Sequence, residues 1–399
     1  MIMARKKKQN KYSMVNGIRM TKDGKYEAAV FVGRSTTEFD KNGKPKPLYE
    51  WVRGETYNEC KEAKRKLEEL VKSKKYTSVR NMLFEEYAPK WLELNRNSVA
   101  HSTFYKNYKM YVNSHFIPFF GKIKIKDIDE FLVKEYIAKK LEKLSPTTVR
   151  KHFFVLNKML YDALKDNNPC KDIEPPAEAE YIPYVPTQEE FNRLLAAVKG
   201  MYDEPIILLA GKCGLREGEI FHLKSDDLND EEESIRVDEA LSLGEDGYAT
   251  KGPKSKRGYR TIAVNSELYK MLKNISNIKK AKANKVIDIS SKKPEAVLLF
   301  DEMRPDSYSK RFAKIIKYHN EMFDIRKKFG EEALQHFLKY HGRNSIYKQI
   351  NLQNKKLAVC TFHSLRHFHT TEMYENNIPD QYAAERLGDD IKTMKAVYQ

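Results

Sequence analysis

The sequence is poor in cysteine and has no long apolar segment. Its 399 residues include four cysteines, none in Cys-x-x-Cys spacing, which argues against a zinc site or a disulfide framework and fits a reducing compartment. Apolar runs such as 206–210 fall far short of the roughly 18 residues that a membrane-spanning helix needs. The charged N-terminus is not followed by an apolar stretch, so we expect no secretory signal and a cytoplasmic protein.

Acidic residues are too few to balance the basic ones. The chain has 73 Lys and Arg against 56 Asp and Glu, a formal net charge of +17, and residues 1–75 alone hold 20 Lys and Arg against 10 Asp and Glu. This excess favours a polyanionic partner, nucleic acid before an anionic membrane surface. With 41% hydrophobic and 11% aromatic residues, there is enough apolar material for folded cores.

The first 75 residues have the pattern of a small sheet with one helix. Three apolar segments are separated by Asp-Gly and Asn-Gly pairs, which favour hairpin turns. These segments lie at 18–20, 26–32 and 48–52. Thr56 and Glu59 form a Thr-x-x-Glu capping box, which predicts a helix to about Val71. We therefore predict a three-stranded antiparallel sheet followed by a helix.

The centre of the chain, from about 77 to 173, has helical patterns and no strand pattern. Apolar residues recur at helical spacing in the segments 83–94, 102–115, 129–141 and 147–164. Their aromatic and aliphatic stripes, such as Val149, Phe153 and Leu156, are predicted to form core. A stretch with four prolines and interspersed acids follows, so we place a domain boundary near 178.

Beyond this boundary a second core begins. Thr187 and Glu190 form another capping box, and 206–210 is predicted to be a buried helix that ends at Gly214. Strands are predicted at 234–240 and 259–264, with helices after them. The predicted fold is multidomain α+β: a three-stranded sheet with a helix, a helical domain, and a mostly helical domain with a small antiparallel sheet.

Four segments of the last domain contain residues suited to phosphate chemistry. They are GLREGEI with Arg216, PKSKRGYRTIAV with Lys254, HSLRH with His363 and Arg366, and KAVYQ with Tyr398. Each also has an ordinary structural explanation: Arg216, for example, follows a helix end and could pair with Glu219. Two guanidiniums can hold the nonbridging oxygens of a phosphodiester through bidentate hydrogen bonds, and a phenol with a nearby proton acceptor can be a nucleophile.

The order of these segments resembles the catalytic domain of the tyrosine recombinases, the phage-type integrases. Glu219 three residues after the arginine, the Pro-Lys-x-Lys…Arg-Thr-Ile hairpin, and LGDDIKTMKAVY, which is similar to LGHxxxxTxxxY, add to the likeness. In many integrases a helical core-binding domain and an N-terminal sheet that binds arm-type DNA sites precede this domain. The resemblance therefore implies an arm-type DNA-binding domain at 1–75, a SAM-like core-binding domain at 76–177 and the catalytic domain at 178–399.

The resemblance also implies the chemistry of the site. Arg216 and Arg366 would hold the scissile phosphate, Tyr398 would be the nucleophile, Lys254 the general acid, and His363 a proton acceptor or hydrogen-bond partner. Because a 3′-phosphotyrosyl link retains the energy of the phosphodiester, we expect no ATP, metal or other cofactor. The expected partners are double-stranded DNA at core and arm sites, copies of the chain in a tetramer on DNA, and accessory excision or host DNA-bending proteins, in a prokaryotic cytoplasm and without a membrane.

Some DNA contacts are less closely defined. Lys251, Lys254 and Lys256 share one basic hairpin, and Lys254 is preferred as the acid because its offset to the Arg-Thr-Ile strand matches the family. Lys251 and Lys256 are then expected to contact phosphates. In the helical domain, Arg150 and Lys151 are candidate DNA contacts on a polar helix face, and a solvated helix face is the alternative.

One catalytic position departs from the family pattern. The family's second histidine or tryptophan lies nine residues before the tyrosine, where this chain has Asp389. An ionised carboxylate cannot donate a hydrogen bond to phosphate, and it would repel the anion unless it orients Tyr398 or a neighbouring cation. Three explanations stay open: a slower enzyme, a role for nearby His367 or His369, or a substituted residue.

The function expected from the sequence is that of a site-specific DNA recombinase, an integrase of a phage or conjugative mobile element. A catalytically defective DNA-binding protein is a second hypothesis, because of Asp389 and because Gln399 directly follows Tyr398. A type IB topoisomerase-like enzyme is a third, since it is similar in its Arg, Lys, His and Tyr chemistry. The N-terminal sheet favours recombination over relaxation.

Overall fold

The structure is a computed structural model that describes residues 15–72, 78–178, 182–244, 247–252, 258–284, 296–342 and 345–395. The chain divides into two compact units, Met1–Ala179 and Glu180–Gln399. The predicted mixed α+β fold is confirmed, with an antiparallel sheet at the start and helices in most of the rest. Over these residues, none of the helices is both long and apolar enough to span a membrane.

The described part of the first unit opens with the predicted three-stranded antiparallel sheet. Its strands are β1 (Ile18–Met20), β2 (Tyr26–Phe39) and β3 (Pro45–Gly54), in the order β1-β2-β3, and α1 (Tyr57–Lys72) packs on one face. The helix begins at the predicted capping box, where the Glu59 amide donates to Thr56 Oγ1 at 3.2 Å. β2 runs beyond the predicted strand because register shifts after Phe31 and Arg34 let it continue along β3.

The other elements described in the first unit are helices. They are α2 (Phe84–Asn95), α3 (His101–Thr103), two π-type segments (Phe104–Lys109 and Val112–Phe116), α4 (Ile117–Phe120), α5 (Glu130–Leu141) and α6 (Pro146–Leu164), with single 3₁₀ turns at Ser78–Asn81, Ile125–Asp127 and Lys165–Asn167. All four predicted helical segments are present. The predicted stripe residues Val149, Phe153 and Leu156 are buried, so their assignment to the core is confirmed.

The second unit is mainly helical. Its helices are α7 (Gln188–Val198), α8 (Asp203–Cys213), α9 (Glu217–Ile220), α10 (Ser266–Asn284), α11 (Pro305–Lys339), α12 (Ile346–Gln349), α13 (His363–Glu375), α14 (Asp380–Leu387) and α15 (Ile391–Lys395), with a 3₁₀ turn at Ser225–Asp227. The capping box of Thr187 and Glu190 starts α7 as predicted. A single large apolar core, which includes the buried α8, holds most of these helices together.

In the described part of the second unit, two small antiparallel sheets accompany the helices. One joins β4 (Leu228–Asn229), β5 (Ser234–Val237) and β8 (Arg260–Ala263), and the other is the hairpin of β6 (Ala240–Gly244) and β7 (Gly247–Lys251). The predicted strand at 234–240 was too long. β5 ends at Val237, and Ala240 opens a separate strand because β5 pairs with β8 whereas β6 pairs with β7.

Candidate active site

A glycine at the end of α8 brings three elements of the second unit together. Gly214 has φ 67°, and a Cβ there would lie 2.6 Å from His369 Cδ2 and 2.7 Å from Leu387 Cδ2. Only glycine allows both this backbone conformation and this close approach of α13 and α14. The chain then becomes extended, and it places Arg216 immediately before α9.

Arg216 is oriented by an acidic side chain one turn further on. Glu219 Oε2 accepts the Arg216 backbone amide at 2.9 Å, and Glu219 Oε1 accepts Arg216 Nη1 at 2.8 Å. The same carboxylate accepts two hydrogen bonds from Arg260, on β8: Nη2 to Oε2 at 2.7 Å and Nη1 to Oε1 at 3.1 Å. Sequence reasoning noticed Glu219 but missed Arg260, although Arg260 belongs to the Arg-Thr-Ile segment that it had singled out.

Glu219 is buried and charged. Burial alone raises the pKa of a carboxyl group, but hydrogen bonds and positive charge from Arg260 and Arg216 outweigh it and lower the pKa of Glu219 to about 2. The Arg260 side chain is itself only 5% exposed, and its Nε donates to the Arg386 carbonyl at 2.8 Å. The acid that orients Arg216 is therefore fixed by buried contacts.

Arg366 enters the same site from the first turns of α13. Its side chain is 5% exposed, Nη1 donates to the Gly214 carbonyl, and Nη2 donates to the Leu387 carbonyl at 2.8 Å. Burial, followed by the nearby charge of Arg216, lowers the pKa of Arg366 to about 10, so the guanidinium is charged at neutral pH. Two cations thus face one region of the site.

Asp389 lies between these two cations. It follows α14 and Gly388, whose φ is 67°. Asp389 Oδ2 accepts Arg366 Nη2 at 2.5 Å, and Oδ1 accepts Arg216 Nη2. We predicted that a carboxylate at 389 would orient either Tyr398 or a neighbouring cation. In the structure Asp389 is paired with two neighbouring cations.

The histidines of α13 occupy different surroundings. Partial desolvation and the charges of Arg366 and Arg216 lower the pKa of His363, which favours the neutral imidazole. The rings of His363 and His367 are 4.7 Å apart, and desolvation with the neighbouring His363 lowers the pKa of His367 to about 4. His369 is buried, and its Nε2 accepts Arg386 Nε at 3.1 Å. His363 is thus the one of these three that the solvent reaches most readily.

The β6–β7 hairpin adjoins the helix that follows Arg216. A Cβ on Gly218, in α9, would lie 2.6 Å from the Leu241 carbonyl oxygen of β6. Tyr248 donates to Asp306 Oδ1 at 2.5 Å, which fixes the hairpin to the start of α11. The backbone of Lys251 forms the end of β7. The other predicted site residues of this region and of the C-terminus, Lys254, Lys256 and Tyr398, lie outside the described residues.

The predicted DNA contacts of the first unit differ in their surroundings. Arg150 Nη1 donates to the Pro176 carbonyl at 3.0 Å, and its guanidinium lies 5.1 Å from the centre of the Phe154 ring. Lys151 is exposed. Arg150 therefore already holds the segment that leads out of the unit, whereas Lys151 is presented to solvent.

The sheet of the first unit has an aromatic face that sequence reasoning did not single out. Trp51 pairs with Ala29 in the register of β2 and β3, and Tyr49 pairs with Phe31, so their side chains share the face opposite α1. Trp51 is 49% and Tyr49 56% exposed. Arg19 lies over the Trp51 ring, 4.8 Å from its centre. The alternation of side chains along the strand from 49 to 53 could have predicted this aromatic face.

Among the described residues, no group of three or more His, Cys, Asp or Glu residues is arranged to hold a metal ion. The cationic side chains of the site are Arg216, Arg366 and Arg260. Chemically, this arrangement can bind an anion between two guanidiniums beside a neutral imidazole.

Comparison with known proteins identifies the family. The model of the phage integrase family matches residues 185–399, more than half of the chain, and that of the phage integrase N-terminal SAM-like domain matches residues 83–141. A tyrosine recombinase XerC-like protein of Caldanaerobacter subterraneus subsp. tengcongensis is 26% identical over 407 residues, 94% of this chain and 92% of that protein. A putative prophage phiRv2 integrase of Mycobacterium tuberculosis is 26% identical over 191 residues, 45% of this chain and 48% of that protein.

The fold is shared with a transposon integrase. The Tn1549 transposon integrase, in complex with transposon right end DNA, has a TM-score of 0.57 at 20% identity and covers 80% of this chain and 95% of its own. Neither the topoisomerase nor the non-catalytic DNA-binding hypothesis is favoured by these matches. The chain therefore belongs to the phage integrase family, and it is a tyrosine recombinase, a site-specific recombinase that acts on DNA.

Proposed function

We propose that this recombinase cleaves and rejoins double-stranded DNA through a 3′-phosphotyrosyl intermediate at Tyr398, in order to integrate or excise a mobile element. The observation that carries the proposal is the convergence of Arg216 and Arg366 on one carboxylate, Asp389. Two guanidiniums that converge on one anion match the two nonbridging oxygens of a phosphodiester, where negative charge develops during attack.

Each proposed role has a physical basis. The Tyr398 phenol attacks the phosphorus and loses its proton, for which neutral His363 is the acceptor or hydrogen-bond partner. The leaving 5′ oxygen takes a proton from Lys254. Reversal of these two transfers, with a new 5′ hydroxyl, rejoins the strand. The phosphotyrosyl ester retains the energy of the phosphodiester, so the cycle consumes no ATP.

The first unit supplies DNA binding in this proposal. Residues 1–75 bind arm-type sites, residues 76–177 bind the core site, and residues 178–399 contain the catalytic machinery. The positive charge of residues 1–75 and the exposed Trp51 and Tyr49 support the first assignment. Exposed Lys151 supports the second, and Arg150, Lys251 and Lys256 complete the proposed set of DNA contacts.

The proposal also includes assembly and location. Recombination needs two duplexes and four strand cleavages, which a tetramer on DNA provides with one Tyr398 for each strand. Direction is set with accessory excision or host DNA-bending proteins. The enzyme works on DNA in a prokaryotic cytoplasm.

A denaturing gel with a suicide substrate tests the chemistry. The purified chain is incubated with a labelled, nicked duplex from the end of the element, beside Tyr398→Phe and a control, Tyr382→Phe, whose ring is 66% exposed in the same unit. We expect a slow, protease-sensitive adduct with the wild type and the control but not with Tyr398→Phe. An adduct with Tyr398→Phe, or none with the wild type on DNA that it binds, would refute the proposed mechanism.

A further inference from the structure

We infer that Asp389 is an internal counterion of the phosphate site, whose carboxylate occupies the place of the scissile phosphate and exchanges with it when DNA binds. This inference rests on the proposed function for the assignment of Arg216 and Arg366 to that phosphate. It makes Asp389 a positioning residue, which keeps the two arginines paired in the free enzyme.

The carboxylate is bound as a phosphodiester would be. One oxygen accepts Arg366 Nη2 and the other accepts Arg216 Nη2, so one anion joins two guanidiniums. A phosphodiester likewise has one negative charge spread over two nonbridging oxygens. The two anions therefore compete for the same donors.

Both arginines have hydrogen-bond partners besides the carboxylate. Arg366 is 5% exposed and donates to two backbone carbonyls, those of Gly214 and Leu387. Arg216 is held by Glu219, which Arg260 fixes in turn. Neither guanidinium can follow a departing partner without breaking these contacts.

Asp389 can leave the site by a change of its side chain alone. The side chain is 22% exposed, so solvent already reaches it. The Asp389 amide donates to the Ala384 carbonyl at 3.0 Å, which holds the backbone in place while the carboxylate rotates. The exchange therefore requires rotation of one side chain and no change of fold.

The shared donors favour exchange rather than addition. Arg216 Nη2 and Arg366 Nη2 both donate to Asp389, so a phosphate can use these two donors only if the carboxylate gives them up. A phosphate that entered beside a bound Asp389 would meet a like charge in a partly buried site. If the carboxylate left and nothing replaced it, the guanidiniums of Arg216 and Arg366 would face each other, and that of Arg366 is buried from water. Replacement of one anion by the other avoids both costs.

Such a counterion makes the site selective for phosphate within DNA. The carboxylate is attached to the protein, so its effective concentration is high, and free phosphate competes poorly against it. A phosphodiester in a duplex is delivered by the many other contacts along the DNA. Loss of the carboxylate is therefore expected to make the site responsive to free phosphate.

Thermal unfolding with added anion tests this inference on the full chain. The proteins are the wild type, Asp389→Asn and a matched control, Asp390→Asn, which removes the same charge from the exposed neighbour. Each is heated with orthophosphate or with chloride at equal ionic strength. In chloride, Asp389→Asn is expected to melt several degrees lower. Orthophosphate is expected to restore most of that loss and to shift the other two proteins by less than about 1 °C. An equal response of all three proteins to orthophosphate would overturn the inference.

DNA affinity gives a second measurement that structural damage alone would not reproduce. In single-turnover cleavage, Asp389→Asn is expected to lower the half-saturating DNA concentration about tenfold. An unchanged or higher concentration would contradict exchange. If the asparagine variant does not fold, Asp389→His serves, because an imidazole carries no negative charge and the family resemblance places histidine or tryptophan here.

Failure of this inference and failure of the proposed function are distinguishable. Phosphate rescue of Asp389→Asn is measured without cleavage and works equally in a Tyr398→Phe background. Rescue without any adduct in the wild type would refute the proposed chemistry and support the counterion. An adduct in the wild type without selective phosphate rescue of Asp389→Asn would support the proposed chemistry and refute the counterion.

Discussion

Arg260 and Glu219 form a buried ion pair with two hydrogen bonds, at 2.7 and 3.1 Å. Both side chains are less than a tenth exposed, and the carboxylate also holds the backbone and guanidinium of Arg216. The pair is therefore expected to serve stability and catalysis through the same atoms.

Arg260→Met should separate these two roles. It leaves Glu219 as a buried charge with one partner fewer, so we expect a loss of about 3–5 kcal/mol in the unfolding free energy and a large loss of adduct formation. In the double variant Arg260→Met/Glu219→Leu, stability should largely return, because apolar residues replace the pair, whereas adduct formation should not. Calorimetry and the suicide-substrate gel measure the two quantities.

Lys273→Met is the control for that pair. Lys273 Nζ contacts Asp230 at 2.5 Å, but the two side chains are 41% and 62% exposed, so the loss of this pair should change the unfolding free energy little. Recovery of adduct formation in the double variant would show that Glu219 does not orient Arg216.

Gly214→Ala should impair both folding and cleavage. A Cβ would overlap His369 and Leu387, and φ 67° adds the backbone cost of a left-handed alanine. We expect a destabilisation of about 2–4 kcal/mol and weaker cleavage, because the Gly214 carbonyl also holds Arg366. Gly200→Ala, at φ 80° with no atom within 4 Å, isolates the backbone cost of about 1 kcal/mol. Equal losses at the two positions would contradict the role of close contact.

The first unit should lose stability as the pH falls below about 6.5. His152 is buried, its Nδ1 contacts Tyr136 Oη at 2.8 Å, and burial with the charges of His115 and Lys140 lowers its pKa to about 4. Since the unfolded chain binds a proton below pH 6.5 and the folded chain does not until about pH 4, this stability is present above pH 6.5. It is lost progressively toward pH 4, by on the order of 3 kcal/mol.

Urea unfolding at pH 7 and at pH 4.5, followed by tryptophan fluorescence, measures this effect. Both tryptophans, Trp51 and Trp91, lie in the first unit, so the signal reports that unit alone. His152→Phe should reduce the pH dependence, whereas His101→Gln, at an exposed position, should not. The same slope in His152→Phe as in the wild type would disprove the assignment.

Among Lys251, Lys254 and Lys256, only Lys254 should act as the acid. Lys254→Ala is expected to cleave ordinary DNA at least a hundredfold more slowly and to recover on a substrate whose 5′ bridging oxygen is replaced by sulfur. A thiolate leaves without protonation because a thiol is far more acidic than an alcohol. Lys251→Ala and Lys256→Ala should be weakened equally on both substrates. If Lys251→Ala or Lys256→Ala, rather than Lys254→Ala, regained cleavage on the sulfur substrate, that lysine would be the acid.

The aromatic face of the N-terminal sheet should determine arm-site affinity. Trp51→Ala removes an exposed ring and the support that it gives to Arg19. We expect about tenfold weaker binding to arm-site DNA and unchanged binding to a core-site duplex. Anisotropy with both labelled duplexes measures this, and an equal loss on both would argue against a separate arm site.

Periodicity and capping residues predicted much of the fold. Thr56 with Glu59 and Thr187 with Glu190 start helices where expected, because a capping box is a local interaction. The division of 234–251 into two sheets could not be predicted in this way, since it depends on β8, which lies far along the chain. The same limit applies to β2, whose length depends on its pairing with β3.

The site itself was predicted unevenly. Arg216, His363 and Arg366 came from motif order, and the structure places the two arginines on one carboxylate. The pairing of Asp389 with both could not be read from its residue type, because it depends on where Gly388 ends α14. Arg260 was missed for a similar reason: a basic residue on a strand has no sign of burial until its partner is known.

The close contact between Gly218 and β6 predicts where mutations that abolish recombination should occur. Because Gly218 has no Cβ, the Leu241 carbonyl of β6 can lie directly against α9. The distance between the hairpin and the helix that follows Arg216 therefore depends on a glycine at 218. The close atom is a backbone oxygen and not a hairpin side chain, so any side chain at Gly218 must displace the strand itself. A selection for clones that have lost recombination should therefore recover missense alleles at Gly218, a residue that takes no part in the proposed chemistry.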